Sequence, residues 1–207
     1  MKKYILFSAL AFLIAMPVGA KSKKEVTGKQ AQELFMKVYD MVFGPVGSTL
    51  SYKVNLIGIY KADGKITYKG KKSHFDEGRY SSWRDEKVIY KADHKKKIVN
   101  IHAANDEKAD KYLSKFKHDV NGFAYSYIDN GTTYEITAKV KKSSMFGIKR
   151  VKAVVDKATL APKSISVKLA MITTTVQITD FKAGDVDDEV FIFPKQLFKD
   201  YKFKDHR

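Results

Sequence analysis

The chain has 207 residues, of which 39 are Lys or Arg and 23 are Asp or Glu, giving a formal charge of +16, and it contains no cysteine. Without cysteine there is no disulfide, no thiol nucleophile and no acylated cysteine to serve as a lipid tether, so the fold must rest on its hydrophobic core. A positive charge of this size points to an anionic partner: nucleic acid, a lipid surface or an acidic protein.

Lys2 and Lys3 precede an apolar run over residues 4–16; Pro17 ends it, and Val18, Gly19 and Ala20 place small residues at a cleavage position. This is the pattern of a secretory signal cut after Ala20. The run is shorter than the roughly 18–20 residues that a bilayer crossing needs. The expected mature chain, residues 21–207, is a single domain exported to the periplasm. It would start at Lys21, where a lipid anchor finds no cysteine. Export argues against nucleic acid and leaves an anionic membrane surface or acidic partners.

A helix is predicted over residues 28–43, because Ala31, Leu34, Phe35, Val38, Tyr39 and Val42 recur on one stripe at helical spacing. Thr27 is its expected N-cap and Gly44-Pro45 its stop. From Thr49 the period becomes two: Leu50, Tyr52, Val54 and Leu56 alternate with Ser51, Lys53 and Asn55. Asp63-Gly64 reads as a tight hairpin turn into a strand over 65–69. Strands are then predicted over 74–78, 81–84, 87–92 and 97–102. A second helix follows over 106–117, with Ala109, Tyr112, Leu113 and Phe116 on its apolar face. Beyond it, strands over 122–129 and 132–141 flank Asn130-Gly131, the strongest hairpin signal in the chain. Tyr134, Ile136, Ala138 and Val140 alternate cleanly there. Further strands are predicted over 147–156, 162–171 and 173–181, and short ones over 190–193 and 201–204.

The sum is a mainly β, α+β protein: an antiparallel curved sheet, or unclosed β-barrel, of about ten strands with covering α-helices. Catalytic signals are missing. The five histidines, His74, His94, His102, His118 and His206, fall at no metal-ligand spacing, and no Gly-x-Ser-x-Gly elbow is present. The stretches 58–65 and 64–71 resemble phosphate loops but carry one residue too many between their glycines. The acidic run of Asp185, Asp187, Asp188 and Glu189 lacks the glycine and ligand order of a calcium loop. No enzyme activity, cofactor or metal is expected. What remains is 12 Tyr and 13 Phe, spread over strand and helix stripes. They form either a solid core or the lining of an under-packed cavity.

The order of elements resembles the LolA-type outer-membrane lipoprotein carriers, over residues 30–207. Gly64-Lys65-Ile66-Thr67-Tyr68-Lys69 is similar to the family's glycine-led strand, with Phe75 at its following aromatic. Arg84-Asp85-Glu86-Lys87-Val88-Ile89-Tyr90 is similar to its turn and strand, with Tyr90 where the family has tryptophan. Phe191-x-Phe193 leading to Asp205-His206-Arg207 is similar to its phenylalanine strand and terminal Asp-x-Arg. The family's Arg-Pro pair is replaced by Gly70-Lys71-Lys72.

The resemblance implies a soluble periplasmic chaperone that holds lipoprotein acyl chains in a hydrophobic cavity. It would take them from an inner-membrane release complex to an outer-membrane acceptor. A lipid-binding, sensory or structural module that uses the same fold to bind a protein is the alternative. The implied cavity lining is Leu34, Phe35 and Val38 from the first helix, Leu50, Tyr52, Val54 and Leu56 from the first long strand, Tyr90, Leu113 and Phe116 from the middle, and Tyr134 and Ile136 beyond. Lys69, Lys71 and Lys72 would form a rim or gate where the family has its arginine. Reversible bonds from this rim to a helix backbone or carboxylate would latch the lid.

Overall fold

The computed structural model describes residues 24–56, 60–106, 120–142, 147–170 and 172–207. The expected signal and most of the second predicted helix, with Leu113 and Phe116, lie outside the described residues.

Alternating sequence makes strands here because each alternation gives one apolar edge to bury. The strands are β1 (Glu25–Thr27), β2 (Ser48–Leu56), β3 (Tyr60–Lys69), β4 (Lys72–Asp76), β5 (Tyr80–Arg84), β6 (Val88–Asp93) and β7 (Ile98–Ala103). After the gap come β8 (Phe123–Asp129), β9 (Thr133–Val140), β10 (Ile148–Asp156), β11 (Pro162–Leu169), β12 (Ile172–Ala183) and β13 (Lys202–Asp205). All thirteen join one sheet in the order β1-β8-β9-β10-β11-β12-β2-β3-β4-β5-β6-β7-β13. Its end strands are the short β1 and β13, which pair with different neighbours, so the curved sheet is not closed. Among the described residues no helix is long and apolar enough to cross a membrane.

Helix α1 (Lys29–Phe43) lies on one face of this sheet, here called the inner face, and buries Ala31, Val38 and Val42. Gly28, not Thr27, stands at its N-cap, and no side chain caps it; Thr27 is used instead as the last residue of β1, opposite Ser126. The helix ends as expected, with the Gly44 amide donating to the Asp40 carbonyl at 2.7 Å. Gly44 is extended because the proline that follows disfavours helical backbone before it.

Three sequence expectations are corrected. Asp63-Gly64 is not a turn but lies within β3, where Gly64 faces Tyr52 of β2. A Cβ on Gly64 would come within 2.6 Å of the Asp76 carbonyl and 2.8 Å of the Tyr52 hydroxyl, so glycine marks a close approach here. Residues 190–193 are not a strand. Asp188–Phe191 forms a 3-10 turn whose N-cap, Asp187, accepts from the Glu189 amide. Finally, β13 pairs with β7 in parallel, which breaks the otherwise antiparallel order. A parallel return needs a long crossover, and the residues between β12 and β13 provide it.

The two faces of the sheet differ. Paired residues point the same way, so the register sorts the side chains directly. On the inner face Val42 of α1 packs with Leu50, Tyr52 and Val54, ringed by Ile66, Tyr68, Phe75, Val176, Ile178 and Phe181. Val38 packs with Ile136, Ala153 and Val155. On the outer face β8 to β3 are polar, with pairs such as Lys152–Glu135 at 2.7 Å. From β4 to β7 the outer face turns aromatic. Trp83, Ala92 and Val99 form a second core there with Phe198 of the crossover.

Candidate functional site

Beside the cluster under α1, the inner face of β3 to β6 opens into a groove of about 380 Å³. Ile66, Tyr68, Phe75 and Ile89 supply its apolar surface, while Arg84 and Lys91 contribute cations. The pairings Ile66 with Phe75 and Arg84 with Ile89 place these side chains on one face. Arg84 is held by donating from Nη2 to the Ala104 carbonyl at 2.8 Å. Tyr52 borders this region and donates to Glu77 Oε1 at 2.6 Å. Its ring stacks at 6.3 Å on Phe75.

The residues expected to line a cavity divide into three groups. Val38, Ile136, Leu50, Tyr52 and Val54 are buried in the inner-face clusters, with Leu34, Phe35 and Tyr134 half-buried at the edge of one of them. Leu50, Tyr52 and Val54 pack with Ile66, Tyr68 and Phe75 and form the wall beside the groove, while the others belong to a separate cluster under α1. Tyr90 lies on the opposite face, stacked on Phe193 at 4.4 Å. Its register partners Trp83 and Ile101 put it there. The side chain of Leu56, like Leu113 and Phe116, lies outside what the structure describes. Ile66, Tyr68 and Ile89 were missed as lining residues. The Ile66-x-Tyr68 alternation and the Phe75 that the resemblance already singled out were the signals for them.

The three lysines also separate. Lys69 and Lys72 pair across the β3–β4 turn and point to the outer face. The Lys69 ammonium donates to the Val186 carbonyl at 2.9 Å and lies 3.2 Å from Asp188 Oδ1; Lys72 lies 3.1 Å from the same oxygen. Their partner is therefore the C-terminal crossover, not α1. Lys71 is exposed and makes no ion pair among the described residues. Lys72 first, and then Lys69, hold the Asp188 carboxyl below the usual carboxylate range. A depressed folded value contributes stability above the unfolded value near 3.9, and that contribution is lost as pH falls through the folded value. Asp188→Asn should thus lower the thermal midpoint slightly at neutral pH. The gap from the parent should narrow below about pH 4 and in high salt, because the pair is exposed. A pH series of melting curves checks this; a gap that widens in acid would contradict it.

The crossover is held at further points. His94 bridges Ser81 and Tyr201, at 2.8 and 2.9 Å. Beyond the crossover, at the end of β13, Arg207 grips Asp205 with two nitrogens and holds its carboxyl down at about 2. Among the described residues no three metal-ligating side chains converge. Asp187 and Asp188 of the acidic run serve as a turn cap and a lysine partner.

No protein-family model matches the chain, and no curated protein matches it significantly. Solved structures are similar to it. An uncharacterized conserved protein from Thermus thermophilus superposes with a TM-score of 0.56 at 10% identity, over 86% of this chain and all of that one. A DUF1329 family protein from Desulfovibrio piger gives 0.42 at 12% identity, over 81% of this chain and 98% of that one. A LolA superfamily protein from Nitrosomonas europaea gives 0.33 at 11%, over 82% and 99%. The first shares the fold; the other two superpose too loosely to bear on it. Fold and groove together define an open-edged β-sheet protein with a single described α-helix packed on an apolar inner face.

Proposed function

We propose that the chain is an exported carrier that takes up acyl chains on the inner face of its sheet. In this reading it is a periplasmic chaperone that ferries lipoproteins from an inner-membrane release complex to an outer-membrane acceptor. The observation that carries the proposal is the groove over β3 to β6, where Ile66, Tyr68 and Phe75 stay half-buried beside a packed wall. The family resemblance in the sequence supports it.

Magnitudes bear on how such a carrier would work. Three acyl chains of about 16 carbons expose about 48 carbons, which cost on the order of 38 kcal/mol in water at ~0.8 kcal/mol each. Benzene fits a cavity of about 150 Å³, so a groove of this size holds roughly 15 carbons. That is one chain. Seating the others requires α1 to move off the sheet, and the acyl chains then replace the contacts of Val38 and Val42. Net affinity must stay far below the ~18–21 kcal/mol ceiling, or delivery would stall.

A triacylated lipopeptide displacing a fluorescent fatty acid tests the site. The parent protein should bind it saturably, and Ile66→Trp, which fills the groove, should weaken binding at least about tenfold. Lys53→Ala, on the polar outer face, should change nothing. Equal binding by parent and Ile66→Trp would place the ligand elsewhere. Absence of any binding would leave a protein-binding module as the reading of the fold.

A further inference from the structure

Across most of the outer face, cations stand opposite acids. Lys53 registers with Asp63 and Lys65 with Asp76, while Lys152 reaches Glu135 at 2.7 Å. Among the described residues cation faces cation at three places: Lys69–Lys72, Lys139–Arg150 and Arg150–Lys168. Like charges directly opposite each other on adjacent strands are destabilising. At the first place the crossover relieves the repulsion. Asp188 Oδ1 lies 3.2 Å from Lys69 and 3.1 Å from Lys72.

The other two places form a single row. Lys139 of β9, Arg150 of β10 and Lys168 of β11 stand side by side, with Ala124 at one end and Thr173 at the other. Their sequence neighbours Ala138, Val151 and Val167 register together on the inner face, so the row lies on the outer one. Lys139 and Arg150 are exposed and Lys168 is half-buried. None of the three makes an ion pair among the described residues. Beside the row is a depression of about 710 Å³, bordered by Lys139, Lys141, Arg150 and Lys152, and by Glu25 and Glu135. Those acids do not serve the row. Glu135 stands four residues along β9 from Lys139, about 13 Å at the rise of a strand, and is taken by Lys152. Glu25 is level with Glu135, through Ile128 between them.

We infer that this row binds a phosphoryl group, which stands to Lys139, Arg150 and Lys168 as Asp188 stands to Lys69 and Lys72. A place where a protein breaks its own pairing rule without relief marks a site kept for function. One carboxylate serves two cations at Asp188; three cations call for more charge. A phosphomonoester carries about −1.5 to −2 and three acceptor oxygens, and the planar fork of Arg150 at the centre can take two of them. A lipid headgroup and a free ester share this chemistry. The row lies on the face opposite α1 and the inner groove, so the inference goes beyond the carrier reading and does not depend on it.

Two measurements on the purified protein separate the sources. Calorimetric titration with glycerol 3-phosphate probes the free ester. Co-sedimentation with vesicles of phosphatidylcholine and phosphatidic acid in a four-to-one ratio probes the headgroup. The parent should bind saturably in at least one of them; binding in solution assigns a free ester, and binding to vesicles alone a headgroup. Arg150→Gln should weaken that binding at least about tenfold, and Lys139→Gln and Lys168→Gln should each weaken it several-fold. Lys53→Gln, a cation opposite an acid on the same face, should leave it unchanged. Without phosphate, Arg150→Gln should melt no lower than the parent, because losing the middle cation relieves the repulsion. Its loss of binding is then not a loss of fold. No binding in either measurement, or binding by Arg150→Gln within about twofold of the parent, would overturn the inference. So would equal binding of acetate, or of vesicles in which phosphatidylglycerol replaces phosphatidic acid at equal charge, since either means attraction to any anion.

Discussion

Trp83→Ala is expected to cost about 3–5 kcal/mol of unfolding free energy, the usual loss for removing a buried large aromatic. Trp83 is 8% exposed and stacks on His74 at 4.8 Å. It also meets Phe193 and Phe198 edge-on, at 5.3 and 5.5 Å. The loss therefore falls on the joint between β5 and the C-terminal crossover. Since whole domains are stable by only about 5–15 kcal/mol, it is a large share of the total. Denaturant titration followed by circular dichroism measures it, and protease nicking should appear within the crossover before global unfolding. Trp83→Phe keeps most of the ring contacts and should cost clearly less. A Trp83→Ala loss below about 1 kcal/mol would mean that the outer-face cluster does not hold the crossover.

Gly47→Ala is the second substitution with a large expected effect. Gly47 has φ of +89°, a region that costs a residue with a Cβ about 1–3 kcal/mol. The added carbon would also stand 2.8 Å from the Tyr68 carbonyl and 2.9 Å from the Val186 side chain. The first obstacle is backbone and the second is buried, so neither can swing aside. Gly47 further accepts the Gly184 amide at 2.7 Å, which joins the start of β2 to the end of β12. The expected result is a loss of more than about 2 kcal/mol and a looser attachment of the crossover, seen as faster hydrogen exchange around Gly184. Gly70→Ala is the comparison, because a Cβ there meets nothing within 4 Å. Its cost should be limited to backbone conformation. Equal effects at the two positions would show that the contacts at Gly47 are not limiting.

The sequence was most legible where one side of an element alone is buried. The α1 stripe of Ala31, Val38 and Val42 and the Ile136–Ala138 alternation each have a polar opposite face, so periodicity reads them directly. Asn130-Gly131 also reads directly, since the Asn130 amide bonds to the Thr133 carbonyl at 2.8 Å across the turn. Strands β6 and β7 place apolar residues on both faces, Ile89 and Ile98 on the inner one and Tyr90, Val99 and Ile101 on the outer one. Ile89 and Tyr90 are neighbours in sequence but lie on opposite sides, so composition could not say which faced the groove. Asp63-Gly64 misled for a related reason: the dipeptide favours a turn locally, while the demand for a missing Cβ comes from Tyr52 and from Asp76, in a different strand. The partner of Lys69 and Lys72 lies more than a hundred residues onward, at Asp188, beyond any local pattern. Three-residue β1 has too little alternation to be read at all.

Occupancy of the inner face by acyl chains is tested most directly by isolating the protein from its host. Native mass spectrometry would then identify what is bound. Acylated protein or lipid should be present at about one equivalent, lost from Ile66→Trp and retained by Lys53→Ala. A preparation free of acyl groups, or one carrying only a non-acylated protein, would contradict the carrier reading.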